Sequence, residues 1–369
     1  MKKCDLCNSE SFENVLTFPD NSMTSDSRIV NISLEKVQCM QCGLITNKDS
    51  ADIEYLNHHY QNEYQLGIAA NQAEPMVYLA EGNTTRSEII FNWIDNLISE
   101  EILKSKNIFE IGCSDGKILK YFKNKYKNIE EYGIDLSKDS ISIAQKNNLN
   151  VECKAIEDID KSKTFDIIYS VAVIEHVQYP NEFFKHCYDL LSDNGSLIII
   201  QPSQDTRTHD IFFSDHLYHF SNKHMELYGR KNGFKMVEQS LGNDCFVLSH
   251  YKKGEDKSLN FSAIVTKNEN ITFYLNLFSK IDSWIEKNDF KKIVIWGTGE
   301  VYTLLLTYCK NVRHIEIKFD DNIKRFSNVI NPTNENIEKY KDYKFLLTFK
   351  PNLNSDRFSQ IDFQSIYDL

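Results

Sequence analysis

The sequence predicts an α/β protein: a parallel sheet with helices on both faces, preceded by a four-cysteine module and followed by a second, smaller α/β unit. Three observations predict it. From Asn107 onward, short apolar strands alternate with amphipathic helices, the succession that builds parallel sheets. Two Cys-x-x-Cys pairs, Cys4/Cys7 and Cys39/Cys42, lie near the start. A separate strand–glycine–helix signal, KIVIWGTGEVYTLLL, begins at Lys292.

The elements follow in order. Ile53–Leu66, rich in Tyr and His, reads as a helix and turn. Thr84–Leu103 spaces Ile89, Ile90, Trp93, Ile94, Leu97 and Ile98 as one face of a helix. Asn107–Ile111 reads as a strand, Lys117–Tyr126 as a helix, Glu131–Ile134 as a strand and Lys138–Asn147 as a helix. Asn150–Cys153 and Phe165–Val171 read as strands, Pro180–Leu191 as a helix and Ser196–Gln201 as a strand. Lys252–Asn260 reads as a linker and Thr272–Lys287 as a connecting helix. The expected division is residues 1–60 for the cysteine module, 61–250 for the central domain and 251–369 for the last one.

Composition narrows the function. The chain has 369 residues with 41% apolar and 26% charged side chains, a folded globular profile. A net charge of −11 opposes general nucleic-acid binding, which must neutralise phosphates. No apolar run approaches ~18 residues, so no membrane span is expected. The opening MKKCDLCNSE turns polar at once and does not read as a secretory leader. With nine cysteines, an odd number, this points to a reducing cytoplasm.

Each Cys-x-x-Cys turns tightly enough to aim two sulfurs at one centre. Cys4, Cys7, Cys39 and Cys42 therefore supply four thiolates, which suits tetrahedral zinc. Gly43 provides the turn after the second pair. Four sulfur ligands leave no open position, so the zinc is expected to be structural. Reduced, metal-free or redox-active pairs are the alternatives.

In IFEIGCSDGKIL a strand ends at Glu110, Gly112 and Gly116 flank a polar turn, and a helix begins. The carboxyl edge of such a strand is where doubly wound sheets bind ligands. The next strand closes on Asp135, which can accept both hydroxyls of an adenosine ribose. A pyrophosphate-bearing dinucleotide favours G-x-G-x-x-G; here the spacing is G-x-x-x-G, with Glu110 and Asp115 close by. Carboxylates suit an ammonium and do not repel a sulfonium, so S-adenosyl-L-methionine (SAM) fits better than NAD. Cys113 in the loop, Leu136 after the second strand, Glu157 after the third and Ser170 at the end of the fourth complete the expected cofactor set. Glu175-His176 follows, facing substrate or acting as a cap.

EIGCSDG, YGID, FDIIYSVAVIEHV and LLSDNGSLIII stand in the order found in class I SAM-dependent methyltransferases, which the chain resembles. With the cysteine module in front and a Rossmann-like domain behind, it resembles more narrowly the zinc-containing methyltransferases of nucleotide-linked keto-deoxysugars. The fold this implies is a class I Rossmann-like core with an N-terminal four-cysteine zinc module and a C-terminal Rossmann-like domain. The family's catalytic segment, Tyr-His-Glu-His-x-x-Tyr-Phe-Ser, corresponds to Phe213–Ser221. His216 keeps the last His, Asp215 replaces the Glu, and Ser214 and Phe213 replace the leading His and Tyr. The resemblance implies His216 as the base, Asp215 as its acidic neighbour, and Tyr64, or Tyr60, as the active-site tyrosine. An imidazole of pKa ~6.5 suits proton removal near neutrality. His219, three residues on, shares a face with His216 if the segment is helical.

The implied substrate is a nucleotide-activated sugar or a surface-glycan precursor, with transfer to oxygen or to carbon. The competing readings are an NAD-dependent oxidoreductase and a non-catalytic zinc-containing binding protein. In the second glycine loop, Gly297-Thr298-Gly299, Tyr302 occupies the third fingerprint position, so no second cofactor is expected there.

Overall fold

The structure is a computed structural model, described for residues 2–49, 58, 60–61, 76–79, 82–242, 245–254, 261, 268–321, 326, 328–350, 356–358 and 361–369. The chain forms two compact units. The first takes Met1–Val15, Lys36–Thr208 and Asp215–Thr266; the second takes Leu16–Glu35, His209–Ser214 and Lys267–Leu369.

A seven-stranded sheet organises the first unit. Its strands are β1 (Asn107–Ile111), β2 (Glu130–Asp135), β3 (Val151–Cys153), β4 (Phe165–Val171), β5 (Leu191–Pro202), β6 (Phe234–Leu241) and β7 (Phe246–Lys253). The order is β3-β2-β1-β4-β5-β7-β6. β7 runs antiparallel to both neighbours, and the pairs from β3 to β5 are parallel. Both faces are covered, which is why the central strands are almost continuously apolar. Ile108, Ile167, Tyr169 and Ile198 pack against α1 (Arg86–Ile102), α2 (Lys117–Lys125) and α3 (Lys138–Lys146). Phe109, Ile111, Ile168 and Ile199 face α4 (Pro180–Leu190), α5 (Asn222–Lys231) and the cysteine-module residues Leu6 and Leu44.

The sequence-predicted elements from Asn107 to Gln201 are present with small shifts at their ends. α1 starts at its Thr85 cap, whose side chain accepts from Glu88 N. Its buried face holds Ile90, Phe91, Ile94 and Ile98, with Trp93 and Leu97 only partly buried. The linker reading of Lys252–Asn260 is corrected at its start: Lys252 and Lys253 complete β7, and residues 255–260 lie outside the described residues. Ile53–Leu66 lies outside them too, apart from residues 58, 60 and 61.

The second unit holds a five-stranded parallel sheet. Its strands are β8 (Ile293–Trp296), β9 (Ile317–Phe319), β10 (Val329–Ile330), β11 (Lys344–Leu347) and β12 (Asp362–Ser365), in the order β10-β9-β8-β11-β12. The expected Gly297–Gly299 loop follows β8. Thr298 Oγ1 donates to Asp320 Oδ2 at 2.7 Å, and Tyr302 is buried where a fingerprint glycine would lie open. Among the described residues, no helix is long and apolar enough to cross a membrane.

Candidate active site and metal centre

The four cysteines of the first unit converge. Their sulfurs all lie within 4.8 Å of one another, with Cys4–Cys42 at 3.6 Å and Cys7–Cys39 at 3.5 Å. Tetrahedral zinc with Zn–S of ~2.3 Å sets neighbouring sulfurs about 3.8 Å apart, so the donor set fits zinc. The residue after each pair adopts left-handed backbone, Asn8 (φ 62°) and Gly43 (φ 77°). Each donates its N–H to the first cysteine's carbonyl, at 2.8 Å. Hydrogen bonding among the sulfurs pushes the Cys4 and Cys42 thiols up and holds Cys39 down. Four thiolates at this spacing need a cation to stay charged.

Sequence reasoning missed the residue that ties this module to the sheet. His224, fully buried on α5, accepts from Ser221 N on Nδ1 and donates from Nε2 to the Cys42 carbonyl at 2.9 Å. Burial lowers its pKa to about 4, so the ring is neutral. Its only sequence trace is a His three residues after a capping Ser.

The carboxyl ends of β1 and β4, neighbours in the sheet, mark its topological switch point, where open α/β sheets bind ligands. Gly112 has φ 73°, and a Cβ there would meet Val173 Cγ2 at 2.5 Å, so the loop backbone passes where a side chain is excluded. Ser114 on one lip (φ 49°) and Ala172 on the other (φ 53°) are also left-handed, strain of the kind that gathers at ligand sites. Asp135 holds the loop in place: Oδ2 accepts from Ser114 N at 2.9 Å and Oδ1 from Ser137 N at 2.8 Å. Each oxygen keeps a further lone pair. Desolvation pushes this carboxyl's pKa up.

Glu110 lies beneath the loop. It is buried, Oε2 accepts from Tyr169 Oη at 2.8 Å, and burial pushes its pKa well above the carboxylate range. Cys113 is buried too, with its thiol pushed well up by the same cause. Gly116 caps α2 and Leu136 is half-buried beyond β2; Glu157 stands exposed on a 3-10 turn. Ser170 Oγ, fully buried at the end of β4, has no hydrogen-bond partner among the described residues. A glycine cradle closed to Cβ atoms, a carboxylate with spare lone pairs and an orphaned hydroxyl fit an adenosine-bearing cofactor.

The catalytic-segment residues gather beside this edge. Asp215, His216 and His219 are all buried. The His216 ring meets His176 edge-on at 4.5 Å and His219 in a stack at 6.2 Å. The segment is not helical, so the condition for a shared helical face is not met: Tyr218–His219 is a short strand, antiparallel to Ile45–Asn47. His176 Nδ1 lies 2.6 Å from Tyr60 Oη, 3.0 Å from the Asp215 carbonyl and 3.9 Å from Asp215 Oδ2. Lys36 Nζ donates to the His216 carbonyl at 2.8 Å. Tyr64 lies outside the described residues.

Residues 84–239 match the family model of a methyltransferase domain. The chain is 30% identical over 109 residues to the mitochondrial ubiquinone biosynthesis O-methyltransferase of Saccharomyces cerevisiae, covering 26% of this chain and 32% of that protein. It is 32% identical over 113 residues to the malonyl-acyl-carrier-protein O-methyltransferase 2 of Ilyobacter polytropus, covering 29% and 42%. It thus spans less than half the length of either relative. Among solved structures, the plantazolicin methyltransferase BpumL in complex with SAH is similar at 16% identity and a TM-score of 0.39, covering 46% of this chain and 85% of that one. The central domain is a SAM-dependent methyltransferase domain with a class I Rossmann-like fold, as EIGCSDG and its βαβ setting led one to expect.

Proposed function

We propose that the protein methylates a nucleotide-activated sugar or a related surface-glycan precursor, with a structural zinc on Cys4, Cys7, Cys39 and Cys42. The division of roles at about residues 60 and 250, and a cytoplasmic location, belong to the same proposal. The observation that carries it is the convergence of Tyr60, His176, Asp215, His216 and His219, a proton-handling set that suits an acceptor with an O–H or an acidic C–H bond.

When bound, SAM supplies an electrophilic methyl group on a sulfonium. Gly112 lets the loop backbone approach its amino-acid end, and Asp135 takes the ribose hydroxyls on its remaining lone pairs. Ser170, Leu136 and Glu157 would hold the adenine end, while Glu110, Cys113 and Gly116 would support the loop. His216 takes the proton that leaves the acceptor, with Asp215 and His219 stabilising the charge that results. Alignment and exclusion of water supply the rest.

His216→Ala should abolish turnover, read by mass spectrometry over a panel of nucleotide-sugars, while calorimetry shows unchanged affinity for the SAM product SAH. Wild-type turnover by that variant would remove His216 from the mechanism. A panel in which nothing gains a methyl group would remove the substrate class.

A further inference from the structure

One buried side chain at the ligand edge of the large sheet takes no part in the mechanism above. Gln201, next to last in β5, is fully buried, and neither its Oε1 nor its Nε2 has a hydrogen-bond partner among the described residues. We propose that Gln201 is a substrate-positioning residue, whose carboxamide holds a hydroxyl or carbonyl group of the methyl acceptor. This rests on the methyltransferase reading and on its sugar acceptor.

The place of Gln201 in the sheet supports the assignment. Side chains alternate between the two faces along a strand. Ile168 of β4 and Ile199 of β5 lie on the face covered by α4 and α5, so Ser170 and Gln201, two residues further along each strand, share that face at the carboxyl edge. Ser170, buried and also without a partner, is on β4, next to β1 and its loop. Gln201 is one strand further from β2 and Asp135, on the side away from the expected adenosine. The chain that leaves β5 then runs to the catalytic segment. Gln204 N donates to the Phe220 carbonyl at 2.8 Å, and Phe220 follows His219 and packs on this same face. Sheet order and chain path thus put Gln201 between the cofactor edge and the His216–His219 segment, where an acceptor that gives its proton to His216 has to lie.

The chemistry of the side chain supports it too. An amide buried without a partner destabilises the ligand-free fold, and a ligand or an ordered water is needed to complete it. Its aligned neighbour on β7 is Val247, which has no polar side-chain atom. A carboxamide donates through Nε2 and accepts through Oε1, which matches a hydroxyl, itself both donor and acceptor. The acceptor is therefore of a class that carries a polar group beside the atom to be methylated. A neutral amide fixes that group without competing with His216 for the proton.

The test uses the full chain carrying Gln201→Met, which keeps the side chain's length and removes both polar atoms. The melting temperature of the ligand-free chain should rise by roughly 2–4 °C, because an apolar chain replaces an orphaned amide. SAH affinity, by calorimetry, should match wild type. Over the panel of nucleotide-sugars, kcat/KM for the sugar that wild type methylates best should fall roughly tenfold through its KM, with KM for SAM unchanged. A melting temperature that does not rise would show that the amide is already satisfied by protein or water, and would overturn the proposal. Weakened SAH binding would assign Gln201 to the cofactor and overturn it equally. Gln201→Leu stands in if the Met variant does not fold; failure of both to fold would mean that the fold itself needs the amide, which also overturns it. Sugar methylation equal to wild type would remove Gln201 alone. A wild-type chain that methylates no sugar in the panel would remove the acceptor reading, and the positioning role with it.

Discussion

Asp135→Asn is the sharpest test of the proposed SAM loop. The native carboxylate accepts two backbone N–H groups, Ser114 at 2.9 Å and Ser137 at 2.8 Å, one on each oxygen. The amide keeps one acceptor and turns a donor towards the other N–H. A hydrogen bond to a charged group contributes about 1.5–3 kcal/mol, and an orphaned donor costs a similar amount. If the lost partner is Ser114, a left-handed residue (φ 49°) is released and the loop after β1 relaxes, giving back about 1 kcal/mol of strain. The net loss of about 0.5–2 kcal/mol should weaken SAH binding roughly 2- to 30-fold, since 1.4 kcal/mol is tenfold. Calorimetric titration of SAH reads this directly. Glu338→Gln is the control: its carboxylate pairs with Lys341 at the surface, far along the chain from the loop, and such pairs contribute little. Equal SAH affinities for Asp135→Asn and wild type would refute Asp135 as both loop clamp and ribose contact.

Three further outcomes follow from the same geometry. Glu110 has a folded-state pKa raised by burial, so its contribution to stability is fully present below its unfolded value near 4.3 and is lost as pH rises towards the folded value. Glu110→Gln, which still accepts from Tyr169, should flatten that decline of up to about 1.4 kcal/mol per pH unit; parallel thermal-melt profiles from pH 5 to 8 would show the reasoning to be wrong. Chelation of the cysteine zinc should lower the melting temperature and be reversed by added Zn2+, whereas a zinc-free chain with an unshifted melt would deny the ion a structural role. His224→Ala leaves the Cys42 carbonyl and Ser221 N–H unpaired in a buried void, a loss of about 2–4 kcal/mol; chemical denaturation with the zinc still bound measures it.

The sheet from Asn107 to Gln201 was legible because buried parallel strands and amphipathic helices alternate with distinct periods. β6, β7 and α5 were not read. β6 and β7 cover the far edge of the sheet, where Phe234–Leu241 carries Lys, Glu and Gln on its outer side, and the alternation is too weak to stand out. The cysteine quartet and the glycine loop showed themselves through fixed spacings. The proton-handling cluster could be read only as separate residues, because Tyr60, His176 and His216 meet through tertiary packing that no local spacing encodes. His219 illustrates the difference. A helical offset would have placed it beside His216 had the segment been helical; a two-residue strand does so instead, held by backbone pairing to Ile45–Asn47.

That pairing gives the cysteine module a role in positioning. The strand Ile45–Asn47 leaves the second cysteine pair and aligns Thr46 with Tyr218 and Ile45 with His219. Asn47 N donates to the Leu217 carbonyl at 3.1 Å, and Lys36, on the preceding strand, to the His216 carbonyl at 2.8 Å. His224 closes the frame from α5 onto Cys42. The backbone of the His216–His219 segment is therefore held by the hairpin whose turn carries Cys39 and Cys42. The loop after β1, proposed to take SAM, is held by Asp135. Loss of the metal should accordingly act on turnover before it acts on SAH affinity, because the two halves of the active site are held by different elements.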